Sequence, residues 1–193
     1  MRLLIMGAPG SGKGTQGKRL AAHLGIPAIS TGTILREHVA KETPLGIQIK
    51  HDMDNGDYVA DPVVEQIVRE RLAQEDARKG FLLDGFPRTV HQAQTLDAIL
   101  GESHLALDHV ISLTIEGDAL VSRMLQRAEI EGRPDDNEET IRHRMNVYVE
   151  ETEPVLDFYR ERDIVIEIDG DGDIDEVQDT IRRELLDEYD DGA

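Results

Sequence analysis

The chain has 193 residues, with 40 acidic against 21 basic side chains, a formal charge of −19 and no cysteine. That charge excludes a non-specific nucleic-acid binder, which needs a basic face. The missing cysteines exclude disulfides and thiolate metal sites and fit a reducing compartment. No apolar run reaches the ~18 residues of a membrane span, and "MRLLIM" meets Gly7 before a signal-peptide core can form. The reading is one soluble, cytoplasmic domain over residues 1–193 that contacts neither nucleic acid nor membrane.

In chain order, "RLLIM" (2–6), "PAIS" (27–30), "FLLD" (81–84), "HVISLTI" (109–115) and "DIVIEI" (163–168) read as strands. Several are apolar on both faces, as buried parallel strands are. Helical patterns lie near 13–24, 33–53, 61–76, 89–100, 118–129, 137–161 (broken at Pro154) and 174–188. This alternation predicts an α/β fold, a five-stranded parallel sheet with helices on both faces. Ligands then bind at the carboxyl ends of the strands.

The first strand runs into "GAPGSGKGT", Gly7 to Thr15. A glycine-rich turn between a strand and a helix is where backbone amides converge on a phosphate at a helix N-terminus. Lys13 would reach the β- and γ-phosphates as a mobile charge. Gly14 stands where the general G-x-x-x-x-G-K-[ST] pattern has Ser or Thr, and Thr15 follows. The strand "FLLD" ends in Asp84, followed by Gly85, Phe86, Pro87 and Arg88. A carboxylate at a strand end beside a phosphate loop suits Mg²⁺ or its waters, whereas Asp before Gly on its own reads as a turn. Arg88 offers a planar fork to a phosphate, or a partner to a surface carboxylate. Taken singly, Thr31 reads as a helix N-cap and Gln92 as a solvated helix residue. Arg123 and Arg127, four apart, share a helix face, where each could equally pair with the abundant carboxylates.

"GAPGSGKGT" and "DGFPRT" together resemble the adenylate kinases, and the resemblance extends over nearly the whole chain. In that family Gly follows the Lys and Thr comes next, so Gly14 matches the narrower pattern. The resemblance implies a fold of the P-loop NTPase type, with a small helical monophosphate-binding segment (30–59) and a short lid (127–137). It implies ATP binding by Gly10, Ser11, Gly12, Lys13, Gly14, Thr15, Arg123, Arg127 and the backbone of Gly172, and a Thr15 that caps the helix or touches phosphate. It places Thr31, Arg36, Asp57, Tyr58, Val59, Gly85, Phe86, Pro87, Arg88, Gln92, Arg133 and Arg144 around AMP. Asp135 and Asp136 match paired aspartates that hold the lid arginines. Lys13, Arg88, Arg123, Arg133 and Arg144 are the implied catalytic set, and Asp84 holds Mg²⁺ through water. The implied reaction is Mg·ATP + AMP = 2 ADP, serving adenine nucleotide homeostasis, by a monomer.

Only "AEIEG" separates Arg127 from Arg133. The chain therefore resembles short-lid members rather than those with a lid domain and a cysteine-held zinc. Three rivals stay open at this level: a kinase for UMP or CMP on the same scaffold, a nucleotide-sensing switch with no acceptor, and an acidic scaffold with a vestigial loop. The acidic, lysine-poor composition also resembles proteins of salt-loving organisms. Screening should then relieve self-repulsion. The melting temperature is expected to rise between low and molar KCl, and a flat or falling Tm removes the salt-adapted reading.

Overall fold

The computed structural model describes residues 1–115, 117–131 and 137–190. Five short strands sort their apolar side chains onto two faces. β1 (Arg2–Gly7), β2 (Ala28–Ser30), β3 (Phe81–Asp84), β4 (His109–Thr114) and β5 (Val165–Asp169) pair in parallel in the order β2-β3-β1-β4-β5. Side chains alternate along a strand. Leu4, Met6, Phe81, Leu83 and Val110 therefore enter one core, while Leu3, Ile5, Leu82, Ile111 and Leu113 enter the other.

The first core is covered by α2 (Thr31–Ala40), α3 (Pro44–Asn55), α4 (Asp61–Leu72), α5 (Val90–Gly101) and α8 (Glu153–Arg160), through residues such as Leu35, Ile49, Val68, Leu96 and Tyr159. The second is covered by α1 (Lys13–Leu24) and α9 (Ile174–Asp190), through Leu20, Ala21, Val177, Ile181 and Leu185. The predicted three-layer α/β architecture is the one observed. α6 (Gly117–Glu131) and α7 (Glu138–Val147) complete the described helices. No described helix is long and apolar enough to cross a membrane.

The chain leaves β1 for β2 on one side and later returns to place β4 on the other. That reversal opens a crevice beyond the carboxyl end of β1, where ligands bind in open α/β sheets. Register aligns Ser30 and Ile5 with Asp84. The ends of β2 and β3 thus stand level, and β1 runs two residues further to Gly7.

Three boundaries differ from expectation. The helix predicted over 33–53 is two, α2 and α3. Glu42 adopts a positive φ of 48°, Thr43 caps α3 by accepting from Gly46 N, and Pro44 opens it. Thr followed by Pro is a local start signal, but the apolar pattern continues across it and masks the turn. The helix predicted over 61–76 ends at Leu72, followed by a 3₁₀ turn at Glu75–Ala77. Finally, the chain does not break at Pro154. It widens into a π turn at Tyr148–Thr152, and Pro154 lies in the first turn of α8. Proline has no N–H for the carbonyl four residues back and crowds it, and a wider turn accommodates both defects.

α3 returns so closely over α2 that a Cβ on Gly46 would lie 2.0 Å from His38 O and 2.3 Å from His38 C. Neither backbone atom can rotate away. Gly46→Ala is expected to destabilise the fold by about 2 kcal/mol or more, despite the ~1 kcal/mol of helix propensity that alanine adds. Urea unfolding checks this, and an unchanged or raised midpoint would remove the contact between α2 and α3.

Candidate active site

The loop after β1 takes its shape from left-handed glycines. Gly12 (φ 86°) is the N-cap of α1, and no side chain caps that helix. The first amides of a helix have no intrahelical partner, and an anion at this end satisfies them. Gly10 (φ 88°) is also sterically required: a Cβ would lie 2.8 Å from Leu120 O and 3.0 Å from Met124 Cγ. α6 therefore closes directly over the loop. Lys13 Nζ donates to Ala8 O at 3.3 Å, so the side chain folds back across the turn. Thr15 does not cap α1, because Gly12 does. A Cβ on Gly14 would stand 3.7 Å from Asp84 Oδ2. The carboxylate thus faces the place where the general loop pattern has a hydroxyl.

A cavity of about 330 Å³ runs from this loop to the far end of β3. Gly10, Gly12, Lys13, Gly14, Thr15, Asp84, Arg123 and Arg127 line one end. Thr31, Arg36, Asp57, Tyr58, Val59, Gly85, Pro87, Arg88, Gln92 and Arg144 line the other. Among the described residues, the basic side chains on its wall are Lys13, Lys18, Arg36, Arg88, Arg123, Arg127 and Arg144, against the carboxylates of Asp57 and Asp84. Inside a chain of charge −19 the local sign is reversed.

These groups are held from behind. Arg88 Nε donates to Gly85 O at 2.9 Å, and its guanidinium stacks 4.7 Å from the Tyr58 ring centre. Thr152 Oγ1 donates to Arg88 O at 2.9 Å and lies 2.8 Å from Tyr58 Oη. A hydroxyl has one proton, so Tyr58 is the donor to Thr152. Arg144 Nη2 donates to Met53 O at 3.3 Å, and Arg123 bonds Gly170 O at 3.3 Å and Asp171 at 3.0 Å. Thr31, 1% exposed, donates from Oγ1 to Gly85 O at 2.8 Å. Ser30 is the N-cap of α2, so Thr31 has no capping role. Gln92 is likewise 1% exposed rather than solvated. Burial pushes the Tyr148 phenol up to about 12, with Glu153 and Tyr58 adding to it, so this side chain brings no charge to the cavity.

Several expected residues lie elsewhere. The Phe86 side chain is 2% exposed and packs in the first core, so only its backbone can serve a ligand. Ser11 and Gly172 line a smaller neighbouring cavity of about 270 Å³, bordered also by Arg123, Gly170 and Ile174. Arg133, Asp135 and Asp136, and with them residues 132–136 of the expected lid, lie outside the described residues. Sequence reasoning missed Tyr148 and Thr152. Tyr148 follows Arg144 by four and so shares its face. Thr152 arrives through the π turn, which no simple period predicts.

A phosphate loop, an acidic strand end and a separate cationic bay in one cavity define a P-loop nucleoside monophosphate kinase. The adenylate kinase family model matches residues 5–164. An adenylate kinase of Nocardioides sp. is 52% identical over 177 residues, 92% of this chain and 93% of the relative. One of Micrococcus luteus is 53% identical over 176 residues, 91% of this chain and 86% of the relative. One of Clavibacter michiganensis is 50% identical over 184 residues, 95% and 92%. The chain belongs to the adenylate kinase family, and it is a phosphotransferase.

Lysine at position 88 could keep neither the Gly85 bond nor the stacking on Tyr58. Arg88→Lys is expected to lower kcat/KM for AMP at least about a hundredfold. Steady-state kinetics with AMP varied checks this, and an unchanged value would remove Arg88 from the site.

Proposed function

We propose that the cavity binds Mg·ATP at its loop end and AMP at its far end, and that it catalyses Mg·ATP + AMP = 2 ADP. The observation that carries this is one continuous cavity with a phosphate loop at one end and a second cation set (Arg36, Arg88, Arg144) at the other. A nucleotide switch needs only the first.

In this reading the loop amides and Lys13 cradle the β- and γ-phosphates, with Thr15 beside them. Arg123 and Arg127 flank the triphosphate, and the small cavity at Ser11 and Gly172 takes the ATP base. Arg36 and Arg88 grip the AMP phosphate. Residues 57–59 and Gly85, Pro87 and Gln92 border its adenosine. An oxygen of the AMP phosphate attacks the γ-phosphorus as the bond to the β–γ bridging oxygen breaks, leaving two ADP. No general base is needed, because the attacking phosphate is already ionised. Lys13, Arg88, Arg123, Arg144 and the undescribed Arg133 stabilise the charge that spreads over the equatorial oxygens.

The donor set fits a hard cation: position 14 has no hydroxyl, and the Asp84 carboxylate faces it with oxygen. Asp84 would hold Mg²⁺ through water, and the ion supplies charge neutralisation at the phosphate oxygens. Segments 30–59 and 127–137 close over the nucleotides and exclude water, the competing acceptor. We further infer a cytoplasmic monomer whose acidic surface is adapted to salt, as its charge of −19 and the short span between Arg127 and Arg133 suggest.

Product analysis by ion exchange tests the reading. The protein is incubated with Mg·ATP and, separately, AMP, CMP, UMP, GMP or no acceptor. ADP is expected with AMP, two per ATP consumed. Turnover with CMP or UMP in place of AMP would overturn the base assignment, and ADP formed without an acceptor would overturn the kinase reading.

A further inference from the structure

We propose that Asp61 sets the base specificity of the acceptor site by locking the orientation of the Gln92 amide. The proposal rests on the reading of Gln92 as the base contact. It adds a residue that touches no substrate and acts by positioning.

Gln92 lies in the first turn of α5, and its amide is bonded at both ends. Arg88 N donates to Oε1 at 2.8 Å, and Nε2 donates to Asp61 Oδ1 at 2.6 Å. These partners determine which end is which. A backbone N–H can only donate, so the atom facing Arg88 is the oxygen. A carboxylate can only accept, so the atom facing Asp61 is the nitrogen. Asp61 is itself anchored. It is the first residue of α4, and its Oδ2 accepts from Thr89 Oγ1 at 3.2 Å. His91 Nδ1 lies 3.4 Å from that same oxygen and 3.1 Å from Glu65 Oε1, so the carboxylate is held from three sides.

A primary amide has two donor and two acceptor positions. Two are used, which leaves one N–H and one oxygen lone pair. Gln92 is 1% exposed and lines the cavity, so this remaining pair meets what the cavity holds. Its polarity is fixed, a donor beside an acceptor in a set order. Adenine presents a ring-nitrogen acceptor beside an amino donor. Hypoxanthine has the same outline but presents N–H beside a carbonyl, the reverse order. To pair with it in the same pose, the amide must turn over. Its oxygen would then face the Asp61 carboxylate and its NH₂ the Arg88 N–H, two like-against-like contacts at a side chain that is 1% exposed. Asparagine at 61 can turn with Gln92, and one of the two penalties disappears. Cytosine shares adenine's polarity and uracil has hypoxanthine's.

The test compares kcat/KM for AMP and IMP as acceptors, each ratio taken on one protein preparation so that partial misfolding cancels. The wild-type chain is expected to favour AMP by far more than tenfold, and to turn over CMP faster than UMP. In Asp61→Asn the AMP:IMP ratio is expected to fall at least about tenfold, with kcat for AMP little changed. Gln92→Leu is expected to collapse the ratio altogether. A collapsed ratio in Gln92→Leu with a wild-type ratio in Asp61→Asn would overturn the lock and leave the base contact standing. Wild-type ratios in both variants would overturn the reading of Gln92 itself. A wild-type chain that takes IMP within tenfold of AMP would overturn the proposal without any variant.

Discussion

Polyanions must be brought together inside a chain that carries −19, and the architecture follows from that electrostatic constraint. Two nucleotides repel each other and are repelled by the protein's own field. The crevice beyond β1 answers with concentrated local charge: a helix N-terminus that no side chain caps, one lysine folded over its loop, and arginines from α2, the turn between β3 and α5, α6 and α7. Among the described residues, only the carboxylates of Asp57 and Asp84 line the cavity wall. Of these, Asp57 accepts from His143 at 2.7 Å, so part of its charge is met within the wall. Asp84 stands beside the loop, facing Gly14.

The functional arginines depend on contacts that are not themselves charged. Arg88 follows a strand end, and an isolated arginine there would sample many rotamers. Its Nε bond to Gly85 O, its stacking on Tyr58 and the Thr152 bond to its carbonyl leave little of that freedom. These partners come from three places in the chain: the strand end, the far end of the 30–59 segment and the π turn before α8. Preorganisation of this kind lowers the entropy lost when a phosphate is bound. It also ties the segment carrying Tyr58 to Arg88 through one set of contacts. Gln92 belongs to the same construction: its oxygen takes the Arg88 amide, and its nitrogen reaches across to Asp61 on α4.

The strands were legible because strands buried on both faces read as short, near-continuous apolar runs, and "RLLIM", "FLLD" and "HVISLTI" contain little else. The glycine loop was legible because its spacing, a strand before it and a helix after it are all local. The turn between α2 and α3 was locally signalled by Thr43 and Pro44 yet hidden beneath a continuing apolar pattern. The burial of the Phe86 side chain was not legible, because a motif names a stretch of chain and does not say which of its side chains turns inward. Thr31 and Gln92, read singly, passed for a cap and a surface residue because polar side chains give no sign of burial until their partners are known.

By itself the sequence determined the strands, most of the helices, the phosphate loop and the family, since each is written in short-range spacing. Tertiary structure alone decided the rest. The register that sets Asp84 level with Ile5 brings a carboxylate to the open side of Gly14. The π turn delivers Thr152 to Arg88, and the approach of α4 to α5 makes Asp61 the partner of Gln92. These pairings join residues distant in the chain. A hydrogen bond between them depends on distance and direction, which packing sets and local spacing does not encode.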